Sequence, residues 1–572
     1  MLKTFLQENQ IIVPSYQYYG GQTGFQDYGI IGCQIKNKII NTWREFFIGV
    51  DVNEVEIPAI MPHAILKASG HVDRFTDYVV YDMDGTCHRA DHLAKAWFRE
   101  NNMMDMADQV DSWDQPMLEL QINKYVMLNV DYARVQKKNL MIECTAALAP
   151  SADSDFLRPE LAQGIFVNFR SYQQFFQPGD SGFIPFGIAQ VGKSYRKEIS
   201  PQPFVRLREF TQAEIEYFVD PIAKTHLTYE TYANNVSIPI LTDAMQEDGI
   251  TAPLNILLAD AVEQRLISHQ LMAYFLAKIY LFAKKIGLKE DKIRFRQHQR
   301  NEMAHYAIQC WDLECLVNGS WLECVGCADR GCYDLTAHSA KNPNQPLNAK
   351  RKLEMPITKT LTTIKPDVPR CSGLYGKLMN EIKTYFRDLD QESATAIREQ
   401  IKSNPKIYLM INDKKYEFET NMLEIQEKNI TLTHEIFTPN VIEPSFGIDR
   451  LMYAVLEQNI WFRPEDERRA VLSLPKPLIV YDVAVFPLHK KEAMTVMADE
   501  IRSNLVAAGL KCYLDDSGTA IGKRYVRCDE IGVQYVVTVD PGSLTSGMVT
   551  VRDRDTMVQI IINSSEILNH LN

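Results

Sequence analysis

Three segments lying far apart in the chain each interleave apolar strand-forming residues with arginines and carboxylates: LRPELAQGIFVNF (Leu157–Phe169), YRKEISPQPFVRLREFTQAEIEYF (Tyr195–Phe218) and IEPSFGIDRLMY (Ile442–Tyr453). No one of them decides anything alone; together they point to one polar site built on a sheet. In the second, Arg196 and Glu198 lie two apart and are expected to share one face of a strand. Arg206, Arg208, Phe210, Ala213 and Glu214 follow after a loop containing two prolines. The reading is a hairpin that presents a guanidinium, a carboxylate and an aromatic ring together. A planar guanidinium holds phosphate bidentately, a carboxylate accepts from an amino group, and a ring offers a stacking face, so this hairpin suits a nucleotide. Cross-strand ion pairing on a surface is the plainer account of any one such pair.

The chain has 572 residues, enough for several domains, because single cores stop growing at roughly 250 to 300 residues. A net charge of -12 excludes a protein that coats nucleic acid through a broadly positive surface, so any RNA contact must use local basic patches. Eleven irregularly spaced cysteines fit reduced thiols in a cytoplasmic compartment. The start, MLKTFLQENQIIVP, reads as mature protein without a leader. The most apolar long stretch, Leu254 to Ile286, is broken by Asp260, Glu263, Arg265, His269 and Lys278 and reads as a soluble helical insertion ending at Gly287; no membrane partner is expected.

Ile31, Ile35, Ile39, Trp43 and Phe47 recur at four-residue steps and predict a helix with one wide apolar stripe that needs a large partner. The following NEVEIPAI, with Pro58, suits an edge strand or an interface. Strand-like runs are expected around Phe183 to Val191, Arg206 to Phe218, Trp321 to Cys324 and Lys406 to Leu432, which makes the centre α+β with an antiparallel sheet. The charged run RPEDERR reads as a solvated linker. Beyond it, strand Leu478 to Phe486, helix Lys490 to Ala508, strand Lys511 to Leu514 and strand Tyr535 to Val539 predict a small α/β domain. The expected division is 1–474, with insertions at about 73–150, 222–295 and 336–435, and 475–572.

The chain resembles glycyl-tRNA synthetases of the eukaryotic and archaeal type through an ordered series: VPSYQYYGG, LKASGHVDRFTDY, CHRADHL, RPELAQGIF, RKEIS, REFTQAEIEYF, RFRQHQRNEMAHYA, GCADRGCYDL, EPSFGIDR and RYVRCDEIG. The resemblance implies a class II catalytic domain on a six- to seven-stranded antiparallel sheet with helical insertions, a C-terminal α/β anticodon-binding domain, and a homodimer, with the stripe helix Ile31 to Phe47 at its interface. It implies ATP and Mg2+ as cofactors, glycine and tRNA as partners, and ligation of glycine to tRNA as the activity.

Carried over by position, Arg196 bridges the α-phosphate and the glycine carboxylate, Glu198 accepts from adenine, Phe210 stacks on it and Arg450 holds the γ-phosphate. Lys197, Arg206, Leu207, Glu323 and Cys324 complete the ATP set, with Glu323 as the magnesium candidate. Glu160, Glu214, Glu443, Pro444 and Ser445 match the glycine pocket, with Arg89 a further candidate; Arg524 and Arg527 are expected tRNA backbone contacts. No protein nucleophile is required, because positioning and charge stabilisation carry adenylate formation.

Leu161 stands where the family usually has threonine, and Asp449 where eukaryotic members have glycine. Cys324 and Cys327 form a C-x-x-C pair, but Cys310, Cys315 and Cys332 are loosely spaced, so zinc is not expected; His305 and His338 read as hydrogen-bonded structural residues. Two alternatives compete: a non-enzymatic relative such as the accessory subunit of mitochondrial DNA polymerase, and a prolyl, threonyl or histidyl synthetase. Retention of Arg196, Glu198 and Arg450 argues against the first, and the KASGH and EPS contexts against the second.

Overall fold

The computed structural model describes the whole chain except residues 1, 111–112, 127, 129, 131, 146–153, 177–183, 301, 305 and 572, and the side chains of 105, 108, 467 and 468. His305 and Phe183 therefore lie outside the described residues. Two compact units result, Met1–Leu347 with Thr438–Asn572, and Asn348–Phe437.

Six antiparallel strands form the centre of the first unit: β1 (Phe186–Tyr195), β2 (Glu209–Val219), β3 (Ile293–Gln297), β4 (Gln309–Val317), β5 (Ser320–Gly331) and β6 (Asn440–Gly447), in the order β3-β4-β5-β6-β2-β1. The sheet is wider than expected, at nine strands, because each edge is extended through a parallel pairing. Val52–Glu54 joins β1 in parallel, and Ser237–Leu241 joins β3 in parallel and carries Leu254–Leu257 outside it. The NEVEIPAI edge strand is thus present, while Pro58 falls just beyond it, where its missing N–H costs no ladder bond. Within residues 222–295 the segments Ser237–Leu241 and Leu254–Leu257 and the start of β3 pair into this sheet. The stretch beginning at Leu254 is first an edge strand, then two helices, the second being α2 (Gln270–Lys285); Gly287 follows with φ +92°, the left-handed conformation of a helix stop.

Alternation along β2 sorts its side chains between two faces. Ala213, Ile215, Tyr217 and Val219 enter the main core, whereas Phe210, Gln212 and Glu214 face a cavity. Helix α1 (Ile30–Phe47) covers the core face: Ile31, Ile35, Ile39, Trp43 and Phe47 are all buried, and Phe47 packs on Phe446 at 4.9 Å and on Phe282 at 5.7 Å between ring centres. The stripe read as needing a second subunit is satisfied within the chain. Burial of each such side chain contributes about 1.5–3 kcal/mol, which fixes α1 against the sheet.

The run RPEDERR is not a solvated linker. It turns a hairpin, Ile460–Arg463 with Asp466–Leu472, and buries Arg463 against Asp529 at 2.8 Å. Asp529 also takes a bidentate pair from Arg552 at 2.8 and 3.0 Å. The C-terminal sheet runs Cys512–Leu514, Val483–Pro487, Tyr535–Val539, Met548–Asp553 and Gln559–Asn563, the first three parallel and the last two antiparallel. Its Ala484, Phe486, Cys528, Val533 and Val536 share one continuous core with Leu472, Leu474 and Leu478.

The second unit is built on a long hairpin, Ala349–Pro366 with Leu423–Phe437, a short one, Lys406–Ile411 with Lys414–Glu419, and three helices around Ile364, Ile382, Phe386, Ile397, Ile407 and Phe418. Among the described residues no helix is long and apolar enough to cross a membrane.

Candidate active site

The β1–β2 hairpin is present, with Tyr195 opposite Glu209, but Arg196 and Glu198 lie past the end of β1 in the connecting loop. The Arg196 N–H still donates to the Arg208 carbonyl at 2.9 Å, and the connection then turns around an isolated bridge between Gln202 and Arg206, with Pro201 and Pro203, which have no N–H to donate, in the turn. Arg196 donates from Nε to the Pro159 carbonyl at 3.2 Å, and its guanidinium lies 5.3 Å from the ring centres of both Phe75 and Phe210. The rings fix its plane while the other guanidinium nitrogens stay available.

Opposite it, Arg450 projects from the first turn of α3 (Ile448–Asn459) and donates to the carbonyls of Val205 and Glu323, each at 2.9 Å. Its Nη1 is 3.4 Å from the Glu323 carboxylate. Desolvation in the cleft raises the Glu323 pKa, and the nearby charges of Arg450, His298 and Arg196 outweigh this and lower it, so the carboxylate is held ionised. Together with Glu198, Arg206, Leu207, Phe210, Cys324 and Glu160, these residues line a cavity of about 290 Å³.

The far end of the cavity is acidic. Glu214 on β2 stands opposite Ser445 on β6 and accepts its hydroxyl at 2.9 Å; its second oxygen accepts the Leu161 backbone N–H at 2.8 Å. Leu161 therefore contributes through its backbone, with its side chain in the core beneath. Glu443 is two residues from Ser445 and on the same face, while Pro444 has the parity of Ile442 and Phe446 and turns away from the cavity.

Arg330, buried and at the centre of this end, bonds Glu443 through Nη1 at 3.0 and 2.9 Å and Asp334 through Nε at 2.8 Å, with Glu160 at 3.6 Å and the Tyr306 ring beneath it at 3.8 Å. Glu160 also meets His71 at 3.3 Å and Gln163 at 2.9 Å. Burial raises its pKa, but the His71 and Arg330 charges prevail and hold it well below the usual carboxylate range. Arg158 braces the loop that carries Glu160, donating to the Lys193 carbonyl at 2.9 Å and to that of Ile57 at 2.6 Å. Any Cβ at residue 192 would collide with this guanidinium, which accounts for Gly192 in the middle of β1.

Arg330, Asp334, His71 and Tyr306 escaped the sequence reading, although GCADRGCYDL and KASGH contain three of them; nothing in the spacing says that an arginine there is buried. Three expected site residues are placed elsewhere. Arg89 is held by Asp91 at 2.5 Å and Asp77 at 3.3 Å and does not line the cavity. Lys197 is exposed in the loop, and Pro444 faces the core. Arg524 is also corrected: it is only 2% exposed, donates to the carbonyls of Pro487 at 2.7 Å and of Asp515, and lies over Phe486, so it braces its own domain. Arg527, one turn on, is exposed.

Asp449 is buried and accepts from Lys36 at 2.6 Å, from Tyr28, and from the Thr211 N–H at 2.5 Å, tying α1 and α3 to β2. Among the described residues, single side-chain atoms of His298, Cys310 and Asp312 lie within 4.8 Å of one another, and so do single oxygens of Glu214, Glu216 and Glu443. Neither uses the Cys324–Cys327 pair, whose thiols are buried, the second against the Met272 sulfur at 3.5 Å. His338 donates to Gln163 at 2.9 Å, in the structural role expected of it.

Residues 482–572 match the family model described as "Anticodon binding domain". The glycine–tRNA ligase of Methanocaldococcus jannaschii is 38% identical over 577 residues, covering 97% of this chain and 95% of the relative. The mitochondrial glycine–tRNA ligase 1 of Saccharomyces cerevisiae is 34% identical, covering 98% of this chain and 88% of the relative, and the glycine–tRNA ligase of Caenorhabditis elegans is 35% identical, covering 99% and 78%. In fold the chain is similar to Giardia lamblia prolyl-tRNA synthetase in complex with prolyl-adenylate, with TM-score 0.53 and 12% identity over 99% of this chain and 74% of that one. The antiparallel α+β architecture is that of the class II synthetases, and on full-length identity to curated relatives the chain belongs to the glycine–tRNA ligase family.

Proposed function

We propose that this chain activates glycine with ATP to glycyl adenylate and transfers the glycyl group to the 3′ end of tRNA. The observation that carries the reading is the union, in one cavity, of two guanidinium groups at one end with an acid-walled pocket at the other. Arg196, clamped between Phe75 and Phe210, is set to bridge the α-phosphate and the glycine carboxylate. Phe210 stacks on adenine, Glu198 accepts from its amino group, and Arg450 takes the γ-phosphate, with Arg206, Leu207 and Cys324 lining the rest.

In this reading the glycine carboxylate attacks the α-phosphorus, the bond to the bridging oxygen breaks, and pyrophosphate leaves with the electron pair. The protein supplies orientation and charge stabilisation and forms no covalent intermediate. Glu323, ionised and open to the cleft, fits a hard divalent cation that also takes phosphate oxygens, and Mg2+ there would neutralise the pyrophosphate. The α-ammonium group belongs at the acidic end, against Glu214, Glu443 and Ser445, whose polar walls would disfavour a side chain.

Arg527 is proposed as a tRNA backbone contact on the C-terminal domain. A homodimer and a cytoplasmic location belong to the same reading and rest on family membership; α1 spends its apolar stripe inside the chain and lends the dimer no support. ATP–pyrophosphate exchange with a panel of amino acids tests the proposal: glycine alone should drive exchange, and equal or better exchange with proline, threonine or alanine would refute it.

A further inference from the structure

The acidic end of the cavity carries more carboxylates than Arg330 balances. Glu160, Glu443 and Asp334 surround Arg330, and single oxygens of Glu214, Glu216 and Glu443 lie within 4.8 Å of one another. Four of these acids have donors: Glu443 has Arg330, Asp334 has Arg330 and Gln163, Glu214 has Ser445 and the Leu161 N–H, and Glu160 has His71 and Gln163. Glu216 has none among the described residues. It is fully buried on β2, and neither of its carboxyl oxygens has a hydrogen-bond partner there. An ionised carboxylate placed so, beside two others, is a buried charge with no hydrogen bond to stabilise it, and such a group takes up a proton or finds a cation.

We propose that the Glu214–Glu216–Glu443 cluster holds a proton before an amino acid binds and releases it to solvent when an α-ammonium group arrives, so that glycine enters in exchange for a proton, with Glu216 as the positioning residue that sets this balance. This inference rests on the glycine reading above. The exchange is balanced: the ammonium nitrogen keeps its three protons, one carboxyl O–H bond breaks, and the proton leaves to water while the new carboxylate pairs with the incoming cation.

The surroundings agree. The groups facing Glu216 are Glu214 on its own strand, Glu443 from β6, Arg330 from β5 and Asp334 from the helix Tyr333–Lys341, with Glu160 and its partner His71 beyond Arg330. Burial, then the Glu443 charge, pushes the Glu216 carboxyl well above its ordinary range against the pull of Arg330. Burial likewise pushes Glu443 up to about 8, with Arg330 opposing and Glu214 and Glu160 adding to the rise. These are coupled titrations, so the proton belongs to the cluster.

A bound ammonium lowers the cluster's pKa. Between the free and bound values, binding expels a proton, and the glycine KM falls as pH rises, by up to about tenfold per unit for one proton. The test uses the full chain. Glycine KM in ATP–pyrophosphate exchange is measured from about pH 6 to 8.5 across the expected titration, and the heat of glycine binding is compared in phosphate and Tris buffers, which differ in protonation enthalpy. The wild-type protein should release a large fraction of one proton per glycine near neutrality and show the falling KM. Glu216→Gln should flatten the KM profile and abolish the buffer dependence while exchange stays glycine-specific. Buffer-independent heat with a pH-independent KM in the wild type would overturn the inference whether or not the variant folds. Wild-type proton release by Glu216→Gln would remove Glu216 from the role. Absence of glycine-dependent exchange at every pH would overturn the glycine reading itself, and this inference with it.

Discussion

Ser445 and Glu214 face each other in register across the β6–β2 seam, and the Ser445 hydroxyl is committed to the Glu214 carboxylate at 2.9 Å. The serine therefore orients an acid as well as filling space. With the Leu161 N–H on its other oxygen, Glu214 is held in one rotamer, pointing at the place where an ammonium group is proposed to sit.

Glu214→Gln keeps the volume and removes a charge, so glycine KM should rise at least tenfold, the scale of about 1.5–3 kcal/mol for a hydrogen bond to a charged group, while alanine stays excluded. Ser445→Gly opens space and frees Glu214, so alanine exclusion should weaken more than glycine binding does. Exchange kinetics with both amino acids decide. A Glu214→Gln enzyme with normal glycine KM, or a Ser445→Gly enzyme with an unchanged alanine ratio, would contradict this pocket.

Arg196→Ala should reduce glycine-dependent exchange by about 10²–10³-fold, the scale for one preorganised donor. Among the described residues its side chain makes one hydrogen bond, to the Pro159 carbonyl, so the unfolding midpoint should move little. Near-normal exchange would remove Arg196 from the chemistry.

Arg330→Met should be severe in a different way. It strands Glu443 and Asp334 as buried charges, and breaking such a network costs about 3–5 kcal/mol. Arg330→Lys keeps the charge but loses the fork that serves two acids, and should fall between the two. Urea unfolding measures both; a Met variant as stable as wild type would show that those acids are protonated and neutral without the arginine.

Truncation after Leu474 looks harmless in the sequence, where the pattern breaks, and adenylate formation would be expected to survive it. The structure reverses that expectation. Arg463 would lose Asp529, and Leu472, Leu474 and Leu478 belong to a core that continues into Phe486, Val533 and Val536. The shortened chain should be insoluble or at least about 3–5 kcal/mol less stable. Asp529→Ala in the full chain should show much of the same loss, and a stable, exchange-active truncated protein would sink the argument.

Much was legible because local periodicity and short-range stereochemistry write it into the chain. The helix Ile30–Phe47 follows from apolar residues at four-residue steps, the helix stop at Gly287 from a residue free to adopt positive φ, and the hairpin around residues 196–208 from two apolar runs flanking two prolines. The order of short motifs pointed to the family and, through it, to Glu214, Glu443 and Ser445 as residues of one pocket, which the cavity brings together.

Other properties are decided by what arrives from elsewhere in the chain. Arg524 and Arg527 look alike in sequence, yet one is locked onto the Pro487 carbonyl and the other is exposed, because only the fold says which face of the helix meets a strand. The stripe on α1 announces burial but cannot say against what; Phe282 and Phe446 supply the answer. Arg330 reads as an ordinary charge in its own segment, and becomes the centre of the pocket only when Glu160 and Glu443 converge on it from two others, beside its own neighbour Asp334. Local pattern fixes an element's type and its apolar face, since both depend on neighbours a few residues away. The partner of a charge, and with it the charge state of a site, depends on residues hundreds of positions distant, so only the tertiary structure decides it.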